Sequence, residues 1–248
     1  MTLTRSGDEI AAYFAAAMAE LVDTEAAREL DGAPMRPRFN VSPSRDVLTL
    51  VPTAAGAGFA WKRWGLVPSW AKDPAIGNRT FNARSETVTE KPSFRAAFKR
   101  RRCLVVADGF YEWTPKNRGH KPFHFTPSRT ALLGFAGLFE SWVAEGGEVV
   151  DSTTVITTDA NADLEGVHHR MPVVLDPADY RRWIDPESQK DALLELLRPA
   201  VAGTLARRAV TRYVNDPRHD DPRCLADEEK AEQGALFALD GGDADEEF

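Results

Sequence analysis

The sequence predicts an α+β fold with a largely antiparallel, barrel-like sheet core flanked by helices. Three observations predict it. Strand-length apolar runs dominate the middle of the chain, helices cap its ends, and 248 residues with 43% hydrophobic and 28% charged content suffice for a sizeable core. The globular domain is expected to span residues 1–226. Residues 227–248 are expected to form a disordered acidic tail, because they carry nine Asp/Glu against one lysine and few aromatics.

The elements follow in order. Ser6-Gly-Asp-Glu9 reads as a capping box opening a helix, with Ile10, Tyr13, Phe14, Met18 and Leu21 at helical spacing through about Val22. A second helical stretch is expected over Thr24–Leu30 before Gly32, Pro34 and Pro37 break the pattern. Val47–Val51 and Gly58–Trp64 read as paired strands, and Gly65–Trp70 as a loop. Phe81–Thr89 is expected to be partly extended. Pro92–Arg101 has helical spacing, with Ser93 as its cap. Cys103–Ala107 is an apolar run suited to a buried strand. Asp108-Gly109 turns the chain into a strand over Phe110–Trp113, and Pro115–Lys121 is a loop. Strands are expected over Pro122–Phe125, Leu132–Leu138, Val149–Thr157 and Val173–Leu175, helices over Pro177–Ile184 and Gln189–Leu197, and extended chain over Leu205–Val214.

Charge is unevenly spread. The net charge is −7, yet residues 61–121 hold fourteen Lys/Arg against five Asp/Glu, a balance of +9. Such a band points to an anionic ligand, nucleic acid being the commonest large one, or to a solvated charged face. No apolar run reaches the length of a membrane span, and no secretory signal pattern opens the chain. Cys103 and Cys224 stand far apart in unlike settings, so no disulfide framework is expected and a cytoplasmic setting is the default.

Several side chains suit chemistry. Glu112 lies between Tyr111 and Trp113 beside a buried strand. Burial would raise its pKa and make it a general acid or base, whereas strand alternation could equally point it outward. Asn82 and Arg84 fall on one face of extended chain, an amide and a guanidinium suited to phosphate or sugar, or else to a turn and an exposed arginine. Of the adjacent pair His168 and His169, one can enter a site as a proton shuttle, or both can face solvent. Trp70, close to Lys72, suits base stacking, while Trp64 at a strand end reads as core. His120 and His124 lack any supporting metal motif, and no phosphate-cradling glycine loop or serine-hydrolase elbow is present. No metal or cofactor is therefore expected.

Taken in order, RFNVSP, RWGLVPSWAKD, FNARSETV, KPSFRAAF, RRCLVVADGFYEW, AGLFESW, TTDAN and VHHRMPVVL closely resemble the SOS-response-associated peptidase (SRAP) family over roughly residues 38–215. That resemblance implies a protein that binds single-stranded DNA and cross-links to abasic sites through an N-terminal cysteine, whose amine and thiol close a thiazolidine on the sugar aldehyde. It implies Asn82 as the residue positioning cysteine and sugar, Glu112 as acid/base and His168 as proton-transfer residue. It further implies Arg84 on a DNA phosphate, Trp70 stacking at the DNA junction, Thr157 at a DNA-backbone position and Arg170 as a further DNA contact. Ala71 stands where the family often has a second aromatic, so stacking should be weaker. The family opens Met-Cys-Gly-Arg, and this chain opens Met1-Thr-Leu-Thr-Arg5. The resemblance thus implies a Cys-Gly-Arg segment upstream of Met1. Without it, a non-catalytic single-strand binder is the alternative, and a peptidase, as the family's name suggests, is a third. Gln233, Leu236 and Phe237 form a Q-x-x-L-F pattern suited to a sliding clamp. The expected protein is otherwise a monomer with no membrane partner, in the nucleoid-associated cytoplasm.

Overall fold

A computed structural model describes residues 1–18, 22, 35–54 and 56–228. Five strands close a barrel: β1 (Asp46–Thr53), β2 (Gly56–Trp64), β4 (Arg102–Ala107), β7 (Leu133–Val143) and β8 (Val149–Asp159). Neighbours run antiparallel except at the seam, where β2 meets β8 in parallel through Arg63↔Ser152 and Trp64↔Thr153. Strand β8 is the hub. Along one edge it pairs with β7 and then β9 (Arg170–Pro172). Along the other it pairs with β2 and then, also in parallel, with β3 (Asn82–Arg84). A second, antiparallel sheet has the order β10 (Leu205–Ala209), β6 (Pro122–Pro127), β5 (Phe110–Trp113). The α+β barrel expectation holds.

Both faces of the barrel strands are buried. Along β4 every residue is buried, and alternate positions feed two clusters. Leu104 and Val106 join Phe14, Tyr180 and Trp183 of the helices, while Cys103, Val105 and Ala107 join Phe110 and Phe125 of the second sheet. Each such apolar side chain stabilises the fold by roughly 1.5–3 kcal/mol. The helical cover comprises α1 (Gly7–Ala17), α2 (Arg95–Arg100), α3 (Tyr180–Ile184) and α4 (Lys190–Leu194). The capping box of α1 is formed: Ser6 Oγ accepts from the Glu9 amide and the Glu9 carboxylate accepts from the Ser6 amide at 2.9 Å.

Several boundaries differ from expectation. Helix α1 stops at Ala17, and Val22 makes a parallel bridge to Ala57 instead of extending the helix. Thr24–Leu30 and the Gln233–Phe237 pattern lie outside the described residues. Ser93 does not cap α2; Phe94 occupies that position and contributes no side-chain hydrogen bond. The strand placed at Val173–Leu175 is met in part: pairing with β8 begins three residues earlier, at β9, and Val174 then makes an isolated antiparallel bridge to Phe135 of β7. Past Ala209 the chain forms a 3₁₀ turn over Arg212–Asn215 rather than continuing as strand.

Arg102, counted in the basic band, is fully buried. Its guanidinium donates to the carbonyls of Trp183 (2.8 Å), Phe98 (2.7 Å), Lys99 (2.5 Å) and Asp185. Four carbonyl dipoles replace water around the charge and tie α2 and α3 to β4. Arg101 is likewise engaged internally, by Glu140 at 2.7 Å. Part of the basic band is therefore internal wiring.

Candidate functional site

A cavity of about 410 Å³ opens where β3, β5, β8 and β9 meet the N-terminus and the segment 40–43. It gathers Asn82, Arg84, Glu112, Thr157, His168 and Arg170 of the expected site residues. Trp70 does not line it. That indole is 56% exposed, and its Nε1 donates to the Pro92 carbonyl at 3.4 Å. Trp64, expected as core alone, packs against the barrel and also forms a wall of the cavity, with its Nε1 bonded to the Phe81 carbonyl at 2.8 Å.

Backbone register explains the convergence. Strand β3 exposes Asn82 and Arg84 and buries Ala83 between them, so the amide and the guanidinium share a face. Neither has a side-chain hydrogen bond or ion pair among the described residues, which leaves their donors for a ligand. Asn82 is paired with Val155 and Arg84 with Thr157, which places Thr157 beside them. From the second sheet, β5 presents Glu112 opposite Phe123.

Glu112 is half-buried and accepts no hydrogen bond among the described residues. Its nearest charged partner is His168 Nδ1 at 3.6 Å. Burial pushes its pKa up to about 7, against the opposing pull of His168 and the N-terminal ammonium. Of the two readings the sequence left open, the inward one is the fold's. His168 Nδ1 also lies 2.9 Å from the Arg170 carbonyl and 3.2 Å from the Arg170 amide, so it donates to the one or accepts from the other according to the ring's tautomer. His169 also borders the cavity, its ring 4.7 Å from that of His168.

Arg170 is not a free cation. It donates to Glu86 and to Asp159, and its Nη2 reaches the Thr157 carbonyl at 2.7 Å. It holds β9 against β8 and thereby fixes the backbone that carries His168.

The sequence reading missed the anchoring of the N-terminal segment. Asp108 accepts from Thr2 Oγ1 (2.5 Å), the Thr4 amide (2.5 Å) and Thr4 Oγ1 (2.6 Å). Thr2 Oγ1 also meets buried His124 Nε2 at 3.1 Å. Burial, helped by Arg208, pushes the His124 pKa down to about 4, so the ring is neutral and donates from Nε2. Gly109 is required beside it, since a Cβ there would sit 2.3 Å from His124 Nε2. His124 is thus part of a hydrogen-bonded clamp rather than a metal ligand, and His120 stacks on Trp113. Among the described residues no group of His, Cys, Asp and Glu is arranged to hold a metal ion. The clamp places the Met1 nitrogen in the cavity, where it donates to the Val41 carbonyl at 2.8 Å. Burial lowers the pKa of that amine to about 5, overriding the raising influence of Glu112 and Asp108, so it is neutral at pH 7. Asn40 builds the adjoining wall by donating to the carbonyls of Val214 and Asp216. Its place in RFNVSP was the available signal for that role. Both cysteines are buried, neither lines the cavity, and burial pushes the Cys103 thiol up to about 12.

The abasic site processing protein YoqW of Bacillus subtilis is 38% identical over 191 residues, covering 76% of this chain and 85% of that protein. HMCES of Gallus gallus, also named an abasic site processing protein, is 37% identical over 188 residues, covering 66% of this chain and 55% of its own. A crystal structure of a Bacteroides thetaiotaomicron protein superposes with a TM-score of 0.71 at 23% identity, covering 91% of this chain and 97% of its own, a likeness of fold. A Bordetella bronchiseptica structure gives 0.62 at 27% identity, covering 76% and 96%. The SOS response associated peptidase (SRAP) profile matches residues 1–217, and the chain belongs to that family.

Proposed function

We propose that this chain recognises abasic sites in single-stranded DNA and joins itself covalently to the opened sugar. One observation carries the reading: a buried N-terminal nitrogen, a carboxyl with a pKa near 7, an imidazole, an unpaired amide and an unpaired guanidinium share one cavity. The names of YoqW and HMCES support the substrate class.

The chemistry is imine formation. A neutral α-amine adds to the open-chain aldehyde to give a carbinolamine, which loses water to form the imine. Glu112, half protonated near pH 7, protonates the ring oxygen as the sugar opens, takes up the proton that the anomeric hydroxyl sheds, and gives that proton to the hydroxyl that leaves the carbinolamine as water. His168 accepts the proton shed by the attacking amine. Asn82 orients the sugar, Arg84 and Thr157 hold the flanking phosphate, and Trp70 stacks on a base outside the cavity. Arg170 serves the DNA site by fixing β9. If a cysteine supplied the amine, its thiol would add across the C=N bond and close a thiazolidine with no further leaving group. The peptidase step would then be removal of the initiator methionine ahead of that cysteine.

The test compares this chain with one extended by Met-Cys-Gly-Arg on an abasic oligonucleotide, each resolved on a denaturing gel with and without borohydride. The extended chain is expected to give a stable covalent band, and this chain a band only after borohydride traps the imine. Absence of both bands from folded, DNA-binding protein would overturn the covalent reading. A second reading, a non-catalytic single-strand binder, draws on the absence of both cysteines from the cavity lining and would then stand.

A further inference from the structure

We infer that a second site, in a groove between α2 and α4, binds the backbone of the DNA strand after it leaves the cavity; this rests on the single-strand reading above. The groove encloses about 240 Å³. Three cations line it, Arg95, Lys99 and Lys190, together with the hydroxyl residues Thr89 and Ser188 and the buried ring of Phe98. No acidic residue lines it. Arg95 and Lys99 are one helical turn apart on α2, so they present one face, and Lys190 approaches from the first position of α4. None of the three cations forms an ion pair among the described residues, in contrast to Arg101, Arg102 and Arg170. The exposed acids Glu187 and Asp191 adjoin in sequence but face elsewhere than the groove lining.

Like charges are not gathered this way for stability. Three uncompensated cations repel one another, and the repulsion is relieved when an anion enters. Two features make that anion a DNA strand continuous with the cavity. Arg84 lines the cavity and Thr89, five positions on, lines the groove. Their Cα atoms are therefore at most about 18 Å apart. A strand rising about 3.4 Å per nucleotide covers that distance in roughly five nucleotides. Two residues beyond Thr89 stands the exposed Lys91, and the Pro92 carbonyl next to it holds the exposed indole of Trp70. The series cavity, Trp70, Lys91, groove is a path of stacking and charge; of the acids in the same stretch, Glu86 is paired with Arg170 and Glu90 lines neither the cavity nor the groove.

The experiment uses Lys99→Gln combined with Lys190→Gln in the full chain. Both lysines are exposed, so the fold should tolerate the change. Binding to single-stranded oligonucleotides of 5 and 20 nucleotides, each with a central abasic site, is measured by fluorescence anisotropy across a salt series. The variant should lose about tenfold in affinity for the 20-mer relative to the 5-mer, and its salt slope on the 20-mer should fall by about 1.4, two phosphate contacts at ~0.7 each. An unchanged slope and an unchanged ratio between the two lengths would overturn the groove. If the parent protein bound neither oligonucleotide, the single-strand reading itself would fall, and the groove with it.

Discussion

Two carboxylates four residues apart, Asp108 and Glu112, sit where the chain passes from the barrel into the second sheet and do opposite work. Asp108 lies in the turn after β4 and accepts three hydrogen bonds from Thr2 and Thr4. Glu112 lies on β5, accepts none among the described residues, and faces an imidazole at 3.6 Å. Three hydrogen bonds hold the Asp108 carboxylate in one place, so Asp108 is a fixed anchor. Burial without such bonds disfavours the charge, so the proton of Glu112 equilibrates near neutral pH. The anchor aims the N-terminus at the cavity, and the carboxyl with the mobile proton acts there.

The sharpest way to break this contrast is Glu112→Gln. Losing a general acid/base should slow covalent capture of an abasic oligonucleotide by about 10²-fold or more, with DNA affinity little changed. Single-turnover gels measure the rate, and an undiminished rate would remove Glu112 from the chemistry. Asp108→Ala should instead act on the fold. Stripping the acceptor from the buried Thr2 hydroxyl and the Thr4 amide and hydroxyl should cost about 3 kcal/mol in denaturant unfolding. A loss of activity at full stability would reverse the assigned roles.

A smaller effect concerns pH. Glu112 has a folded pKa raised from about 4.5 to about 7, so its contribution to stability is complete below 4.5 and is lost as pH rises through 7. The Met1 amine has a folded pKa lowered from 8.0 to about 5, so it acts in the other sense and its stabilising contribution is lost as pH falls from 8 towards 5. His124, lowered to about 4, adds to that second trend below pH 6.5. In Glu112→Gln, stability should therefore climb steadily from pH 5 to pH 8, where the parent is flatter. The divergence should be on the order of 2 kcal/mol, reduced by the partial exposure of Glu112. Parallel curves would mean Glu112 is not appreciably desolvated. The smallest effect is expected for Arg84→Gln, about 1 kcal/mol in DNA affinity with a salt slope lower by about 0.7. A larger change would give Arg84 a role beyond holding a phosphate.

Much of the site was legible in advance where local pattern controlled it. The period of two in Asn82-Ala83-Arg84 set both polar side chains on one face, and the Ser6–Glu9 box placed the start of α1. Less was legible where partners distant in sequence decide. Local alternation left Glu112 evenly poised between inward and outward. The pairing of β5 with β6, and the arrival of residues 168–172 through β9, settled it. Arg102 reads in sequence as one more surface charge in RRRC, yet carbonyls from residues 98–99 and 183–185 enclose it. The apolar run Val173–Leu175 was legible as extended chain and bridges Phe135 through Val174, but the pairing with β8 that starts at Arg170 was not, because register against β8 sets it.

By itself the sequence determined the α+β class, the ordered motifs of the family and the identity of the polar residues available to the site, because these depend on residue type and short-range periodicity. Tertiary structure alone decided which charges are free. Arg84, Lys99 and Lys190 stand without ion pairs among the described residues, whereas Arg101, Arg102 and Arg170 are engaged by groups 39, 81 and 84 residues away. It also decided that the N-terminal nitrogen meets Glu112, through a clamp that joins Thr2 to Asp108 across 106 positions. Solvation and hydrogen-bond satisfaction are properties of the assembled neighbourhood, and no local stretch of chain encodes them.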